Sequence, residues 1–276
     1  MKLIDGKAWS DKIRQDLKEK IAKAETQPGL AVILVGEDPA SQIYVRNKIK
    51  ACEDLGVVSY SYRLPKETTQ AELESLLDKL AQDEKVHGIL LQLPLPKHLN
   101  EESANAHIPV EKDVDGFSAT NLGLLMQNKA KFAACTPAGI MKLLELEGIS
   151  VRGKHAVVIG RSETVGKPMA GLLLNADATV TICHSRTQNL KEICRQADIL
   201  VASVGRANFV TEDMVKDGAV VIDVGIHRDE NGKLCGDVDF ENVKEKASYI
   251  TPVPGGVGPM TITMLMYNTY SAVCKE

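Results

Sequence analysis

The chain has no C-x-x-C pair, no long apolar run, no excess of charge of one sign and no internal repeat. Each absence removes a class of protein. Its six cysteines (Cys52, Cys135, Cys183, Cys194, Cys235 and Cys274) are scattered over 276 residues. That scatter argues against a zinc site or a disulfide frame and for reduced thiols in a cytoplasm. No apolar stretch reaches membrane-spanning length, and the start, MKLIDGKAWSDKIRQ, lacks the apolar core of a signal peptide. The net charge of −4, with acidic and basic residues interspersed, makes no case for nucleic acid or an anionic membrane as partner. Neither a serine–histidine–aspartate arrangement nor a metal-spaced histidine cluster is present, so no metal is expected. What remains is 25% charged and 44% apolar, an ordinary globular composition long enough for two modest domains.

The apolar pattern alternates between helix and strand periods. Trp9, Ile13, Leu17 and Ile21 recur at helical spacing, predicting a helix over 7–24. LAVILVG (30–36) reads as a buried strand, and Ser41 is a candidate N-cap for a helix to Leu55 that Gly56 closes. A strand over 57–64 follows, then a helix from Thr69 to about Gln82 with Leu73, Leu76, Leu77 and Leu80 inward, then a strand over 86–93. This βαβαβ order with continuous apolar strands predicts a parallel sheet covered by helices. Thr136-Pro137 opens a helix to about Glu147, and a second α/β unit follows. Its strands are expected near 155–159, 178–183, 198–204 and 219–224, with short ones around 235–238 and 248–251. Its helices should fall near 167–176, 188–196 and 211–216, and Met260 to Lys275 reads as a last helix returning to the first domain. The fold class is therefore α/β, two domains with parallel sheets and a cleft between them. The first domain takes residues 1–135 with 260–276, and the second, 136–259, is Rossmann-like.

The stretch HAVVIGRSETVGKPMA (155–170) is the most informative one. Four apolar residues run into Gly160, Gly166 follows six residues later, and Pro168 sits in the first turn of the next helix. A strand, a glycine turn and a helix N-terminus form a phosphate cradle, since free N–H groups and the helix dipole face an anion. The spacing G-x-x-x-x-x-G is not the standard dinucleotide fingerprint, so a plain strand-to-helix turn stays open on this pattern alone. The tip of the next strand favours the ligand reading. It carries His184-Ser185-Arg186-Thr187 and no carboxylate. An acidic residue there suits the ribose hydroxyl of NAD, whereas arginine suits the 2′-phosphate of NADP. Arg186, Ser185 and Arg161 therefore favour NADP, with an exposed basic loop as the plain alternative.

Other candidates are sparser. Tyr44 and Lys48 share a helix face at i and i+4, where burial would lower a lysine pKa and allow proton transfer. The same spacing is common on solvated helix faces. Gln92 is an amide at the end of an apolar strand, and Asp115 precedes Gly116 in a turn. The loop TPVPGGVGPMT (251–261) combines three glycines with three prolines, which suits close backbone approach to a ligand.

Seven strings together resemble the bifunctional methylenetetrahydrofolate dehydrogenase/cyclohydrolase family: Tyr44 to Lys48, QLPLP (92–96), DVDG (113–116), GRSETVGKP (160–168), HSRT (184–187), DVGI (223–226) and PGGVGPMT (254–261). They run in order along essentially the whole chain. The resemblance implies oxidation of 5,10-methylenetetrahydrofolate by NADP, hydrolysis of the methenyl product to 10-formyltetrahydrofolate, and a homodimer joined through the nucleotide domains. It implies that Lys48 serves the hydrolytic step, that Tyr44 packs on the folate and that Gln92 tunes Lys48. It makes Asp115 the pterin ligand. Gly160, Arg161, Ser162, Val165, Gly166 and Pro168 would hold the dinucleotide, Ser185 and Arg186 its 2′-phosphate, and Ile226 would lie near the nicotinamide. Gly255, Gly256, Pro259 and Thr261 would border substrate and nicotinamide. The chain departs from the family pattern at Glu163-Thr164, at Phe117 to Asn121 after DVDG, and at Ala207. Two other functions compete: a dehydrogenase with weak or no hydrolytic step, and a dinucleotide-binding regulator without catalysis.

Overall fold

The computed structural model describes residues 1–274 and divides into two compact units. One comprises Lys12–Cys135 with the residues from Ile262 onward, the other Met1–Asp11 with Thr136–Thr261.

The first unit holds a three-stranded parallel sheet with Gly29–Val35 in the middle, between Val58–Leu64 and Gly88–Leu91. All seven residues of the middle strand are buried. Because side chains alternate across a strand, Leu30, Val32 and Leu34 pack into one core with Leu17, Val45, Leu55, Phe132 and Met266. Ala31, Ile33 and Val35 enter another with Leu73, Leu77, Leu80 and Ile89. A sheet covered on both faces requires a continuous apolar strand, which is what LAVILV supplies. Each fully buried leucine or isoleucine there contributes about 1.5–3 kcal/mol.

The helix carrying Tyr44 and Lys48 spans Pro39–Leu55. Its N-cap is Asp38, whose carboxylate accepts from Ser41 N at 2.8 Å, so Ser41 is the residue capped and not the cap. Proline at the first helical position takes the place where no N–H is needed, and the start lies three residues earlier than a Ser41 cap would put it. Gly56 closes the helix in the left-handed region at φ 82°. Thr69 caps Gln70–Gln82 in a reciprocal box with Glu72, as the sequence predicts. Two short helices, Glu101–Ala106 and Ala119–Met126, were not expected from periodicity, since neither is long enough to show one.

The second unit is a six-stranded, wholly parallel sheet in the order Lys2–Leu3, Tyr249–Ile250, Val220–Asp223, Ile199–Ala202, His155–Ile159 and Thr179–Cys183. The expected first domain included residues 1–11. Here Lys2 and Leu3 pair with Tyr249 and Ile250, and backbone pairing places them with the second unit. From His155–Ile159 the chain passes to Thr179–Cys183 on one side and then to Ile199–Ala202 on the other. This reversal is a topological switch point, and ligands bind outside the carboxyl ends of strands at such points. The segment near 211–216 contains only a 3₁₀ turn, Glu212–Met214. The strand near 235–238 is Leu234–Cys235, paired antiparallel with His227–Arg228. The last helix runs Val257–Val273, and its expected end, Lys275, lies outside the described residues. No helix among the described residues is long and apolar enough to cross a membrane.

Candidate functional site

In the first unit, three of the predicted residues converge. Lys48 is half-buried, and its Nζ donates to Gln92 Oε1 at 3.1 Å. Gln92 follows the strand Gly88–Leu91 directly, and its own N–H extends the ladder to Ile33 O at 2.9 Å. Its Nε2 donates to Leu93 O at 2.7 Å. A carbonyl can only accept, so the amide is oriented with Oε1 towards Lys48. Burial pushes the Asp115 carboxyl above its ordinary value, while the Lys48 charge and the Cys135 thiol oppose that rise. Burial first, and then the neighbouring Asp115, pushes the Cys135 thiol well up. Tyr44, one turn before Lys48, leaves its side chain 43% exposed.

The DVDG turn separates its two aspartates by function. Asp113 is 3% exposed and saturated: Oδ1 accepts from Gly116 N and Phe117 N, Oδ2 from Ser118 N and from Asn121 Nδ2 at 2.7 Å. Four donors consume its lone pairs, so Asp113 holds the loop and Asp115 is left available. Gly116 sits at φ 71°, and a methyl there would lie 2.6 Å from the Ala133–Ala134 peptide. The family departure after DVDG has a local role: Ser118 caps Ala119–Met126 through Asn121 N, and Asn121 completes the shell of Asp113. Val114 O accepts from Asn268 Nδ2 at 2.8 Å and from Cys135 Sγ at 3.3 Å, which fixes the peptide leading into Asp115.

In the second unit the cradle is made chiefly of backbone. Gly160 ends its strand at φ 134°, where a methyl would lie 2.3 Å from Ser203 Oγ. A methyl on Gly166 would lie 2.3 Å from Gly160 O, so both glycines are needed for the turn to close on itself. The following helix is Gly166–Asn175, starting one residue before the predicted 167–176. Val165 is its N-cap by position, but the hydroxyl of Ser162 accepts from Val165 N at 3.1 Å and Gly166 N at 3.3 Å. Pro168 is buried in the first turn. Arg161, Ser185 and Arg186 are exposed, and among the described residues neither guanidinium is engaged in an ion pair. The 184–187 turn is held by His184 N on Thr187 Oγ1 at 2.8 Å and Arg186 N on His184 Nδ1 at 3.1 Å. Glu163, the acidic departure in this loop, is exposed and paired with Lys167 Nζ at 2.8 Å. Its charge is therefore offset locally.

The 251–261 loop bends tightly, with Gly255 at φ 101° and a cis bond before Pro254. Gly255 O accepts from Lys7 N at 2.8 Å, and Pro259 O from Ser10 Oγ at 3.4 Å. A methyl at Gly256 would lie 2.5 Å from Pro252 O, and Thr261 Oγ1 is 2.9 Å from Thr136 Oγ1. Ile226 is 48% exposed. Sequence reasoning missed Asp223, His227 and Asp237, which tie the loops beside it together. Asp223 Oδ1 accepts from Gly225 N and Asp237 N, and Oδ2 from Val238 N. The only signal was the aspartate in DVGI, and its partners lie 14 and 15 residues away.

These residues fit a phosphorylated dinucleotide in the second unit: close-packed glycines, a helix N-terminus and two free guanidiniums. Comparison with known proteins agrees with both units. A model of the tetrahydrofolate dehydrogenase/cyclohydrolase catalytic domain matches residues 4–115, and one of the same family's NAD(P)-binding domain matches 134–276. The chain is 57% identical to the bifunctional protein FolD of Lysinibacillus sphaericus, covering 98% of this chain and 96% of that protein. The solved dehydrogenase/cyclohydrolase of Campylobacter jejuni is 52% identical with a TM-score of 0.97, covering 99% of this chain and 98% of that one. The Trypanosoma brucei enzyme, solved with NADP cofactor and inhibitor, is 40% identical with a TM-score of 0.93, covering 98% and 96%. With both halves matched in order and identity above half over nearly the full length, the chain belongs to the tetrahydrofolate dehydrogenase/cyclohydrolase family.

Proposed function

We propose that this protein oxidises 5,10-methylenetetrahydrofolate with NADP and hydrolyses the resulting 5,10-methenyltetrahydrofolate to 10-formyltetrahydrofolate. The observation that carries the reading is Lys48 Nζ held on Gln92 Oε1, with Asp115 close enough to sense its charge. Loss of hydride from the methylene carbon leaves a cation stabilised by two flanking nitrogens, so that step requires alignment and no base. NADP, when bound, supplies the hydride acceptor. Gly160, Ser162, Val165, Gly166 and Pro168 shape the turn and helix start that would hold its pyrophosphate. Arg161, Ser185 and Arg186 would take its 2′-phosphate, and no carboxylate stands at that strand tip to suit NAD instead. Ile226 would lie against the nicotinamide, with Gly255, Gly256, Pro259 and Thr261 bordering it and the substrate.

Hydrolysis adds water to the cation and requires proton handling. Lys48 Nζ would receive or return that proton, with Gln92 Oε1 fixing its position. Asp115 would accept from the amino and ring N–H groups of the pterin, and the Lys48 charge favours the ionised carboxylate that such acceptance needs. The exposed ring of Tyr44 would pack on the folate and limit the motion of Lys48. A regulator without catalysis would have no use for this cluster. Homodimerisation is part of the same reading: among the described residues Thr179–Cys183 is an unpaired sheet edge, with Ile182 43% exposed. Six free thiols, four of them buried, suit a cytoplasm.

Absorbance of the purified protein with 5,10-methylenetetrahydrofolate and NADP tests the reading. Reduced nicotinamide should appear without accumulation of methenyl-folate. Accumulation would remove the hydrolytic step, and absence of reduction with either NADP or NAD would remove the dehydrogenase.

A further inference from the structure

Asp237 is fully buried and takes no part in the chemistry above. Its carboxylate nevertheless accepts four hydrogen bonds. Oδ2 accepts from Val204 N at 2.5 Å and Gly205 N at 3.1 Å, and Oδ1 from Arg206 N at 2.9 Å and His227 Nε2 at 2.8 Å. One carboxylate thus binds the loop after Ile199–Ala202 to the segment after Val220–Asp223, and Asp223 fixes its backbone in turn through Asp237 N. The packing leaves no slack. A methyl on Gly225 would lie 2.3 Å from Asp237 N, and one on Gly236 would lie 1.9 Å from Asp223 Oδ2.

Both tethered loops leave carboxyl ends of strands, the first beside the switch point, where a dinucleotide binds, and the second one strand further along the sheet. The first of them begins at Ser203, whose hydroxyl donates to Ile159 O at 3.1 Å and which abuts Gly160 of the cradle. The second carries Ile226, whose Cδ1 would lie 3.7 Å from a methyl on Gly258. We propose that Asp237, with His227 as its side-chain partner, is a positioning residue for NADP: it sets the loops at 204–206 and 224–227 against the cofactor and serves the dehydrogenase step alone. The proposal rests on the dehydrogenase reading. Asp237 acts through backbone amides, and neither it nor His227 is placed on a reacting atom.

Asp237→Asn keeps the shape but turns an amide donor towards N–H donors that need an acceptor. In the full-length protein, kcat/KM for NADP in the oxidation of 5,10-methylenetetrahydrofolate should fall about tenfold or more, mostly through KM. Hydrolysis of 5,10-methenyltetrahydrofolate, followed without nucleotide, should stay within about twofold of wild type, which a general loss of structure would not allow. Parallel loss of both activities, or no change in either, overturns the proposal. His227 provides an independent pair should Asp237→Asn fail to fold. His227→Leu should lower the NADP-dependent rate about threefold, and His227→Gln, which can still donate to Oδ1, should restore it. Equal rates for Leu and Gln would overturn the proposal. Absence of NADP reduction by the wild type overturns the dehydrogenase reading and this proposal with it, whereas a normal wild type with indifferent variants overturns the proposal alone.

Discussion

The two units solve the problem of holding a ligand in opposite ways. In the first, the groups proposed to face chemistry are side chains, Lys48, Gln92 and Asp115, and the backbone is held for them by a saturated Asp113 and by donors on Val114 O. In the second, the surface proposed to face the dinucleotide is largely backbone, at Gly160 and Gly166, and buried side chains such as Asp223 and Asp237 hold the neighbouring loops in shape. The difference follows from the tasks. Adding water to a cation requires a proton to be moved, and a positioned side chain is the usual group for that. Accepting a hydride requires alignment of a cofactor whose phosphates are well served by N–H groups and fixed charges.

This contrast can be broken by substitution. The largest effect is expected for Lys48→Met, which should lower methenyl hydrolysis by roughly 10²–10⁴-fold while hydride transfer stays measurable. Full hydrolytic turnover in a stopped-flow or absorbance assay would remove Lys48 from its role and weaken the division between units. Next in size is a pH effect on the scaffold of the second unit. Burial pushes Asp223 up to about 6 from 3.8, with backbone donors at Val238, Asp237 and Gly225 opposing and the Asp237 charge adding to the rise. A carboxyl raised in the native state binds its proton more tightly there than in the unfolded chain. Its contribution to stability is therefore complete below about pH 4 and declines as pH rises towards 6. At about 1.4 kcal/mol per pH unit the decline is roughly 3 kcal/mol, absent in Asp223→Asn. Denaturant titrations of the two proteins at pH 4.5 and 7 would show it as a changing difference, and a constant difference would place Asp223 in the charged state throughout. The smallest effect is expected for Arg186→Ala, which should weaken NADP about tenfold and NAD hardly at all. Equal losses in KM for the two nucleotides would move the 2′-phosphate elsewhere.

Short-range pattern determined much of this protein. Apolar runs such as LAVILV and HAVVI specify buried parallel strands whatever surrounds them, and Thr69 with Glu72 specifies a helix start within four residues. The cradle was legible for the same reason, because Gly160, Gly166 and Pro168 are demanded by local backbone geometry. Lys48, Gln92 and Asp115 were legible as candidates only, each with a commonplace alternative, until the resemblance joined them. Tertiary structure decided the rest. Asp38 and Ser41 are both good caps by composition, and only the observed helix start separates them. Asp113 and Asp115 are two residues apart in one motif, yet one is saturated by four donors and the other is not, which depends on where Ser118 and Asn121 fold. Lys2 and Leu3 carry no strand signal of their own, and they become a strand because Tyr249 and Ile250 offer an edge. Asp237 gathers amides about 30 residues away, and a contact at that separation is set by packing of the whole unit, not by local sequence.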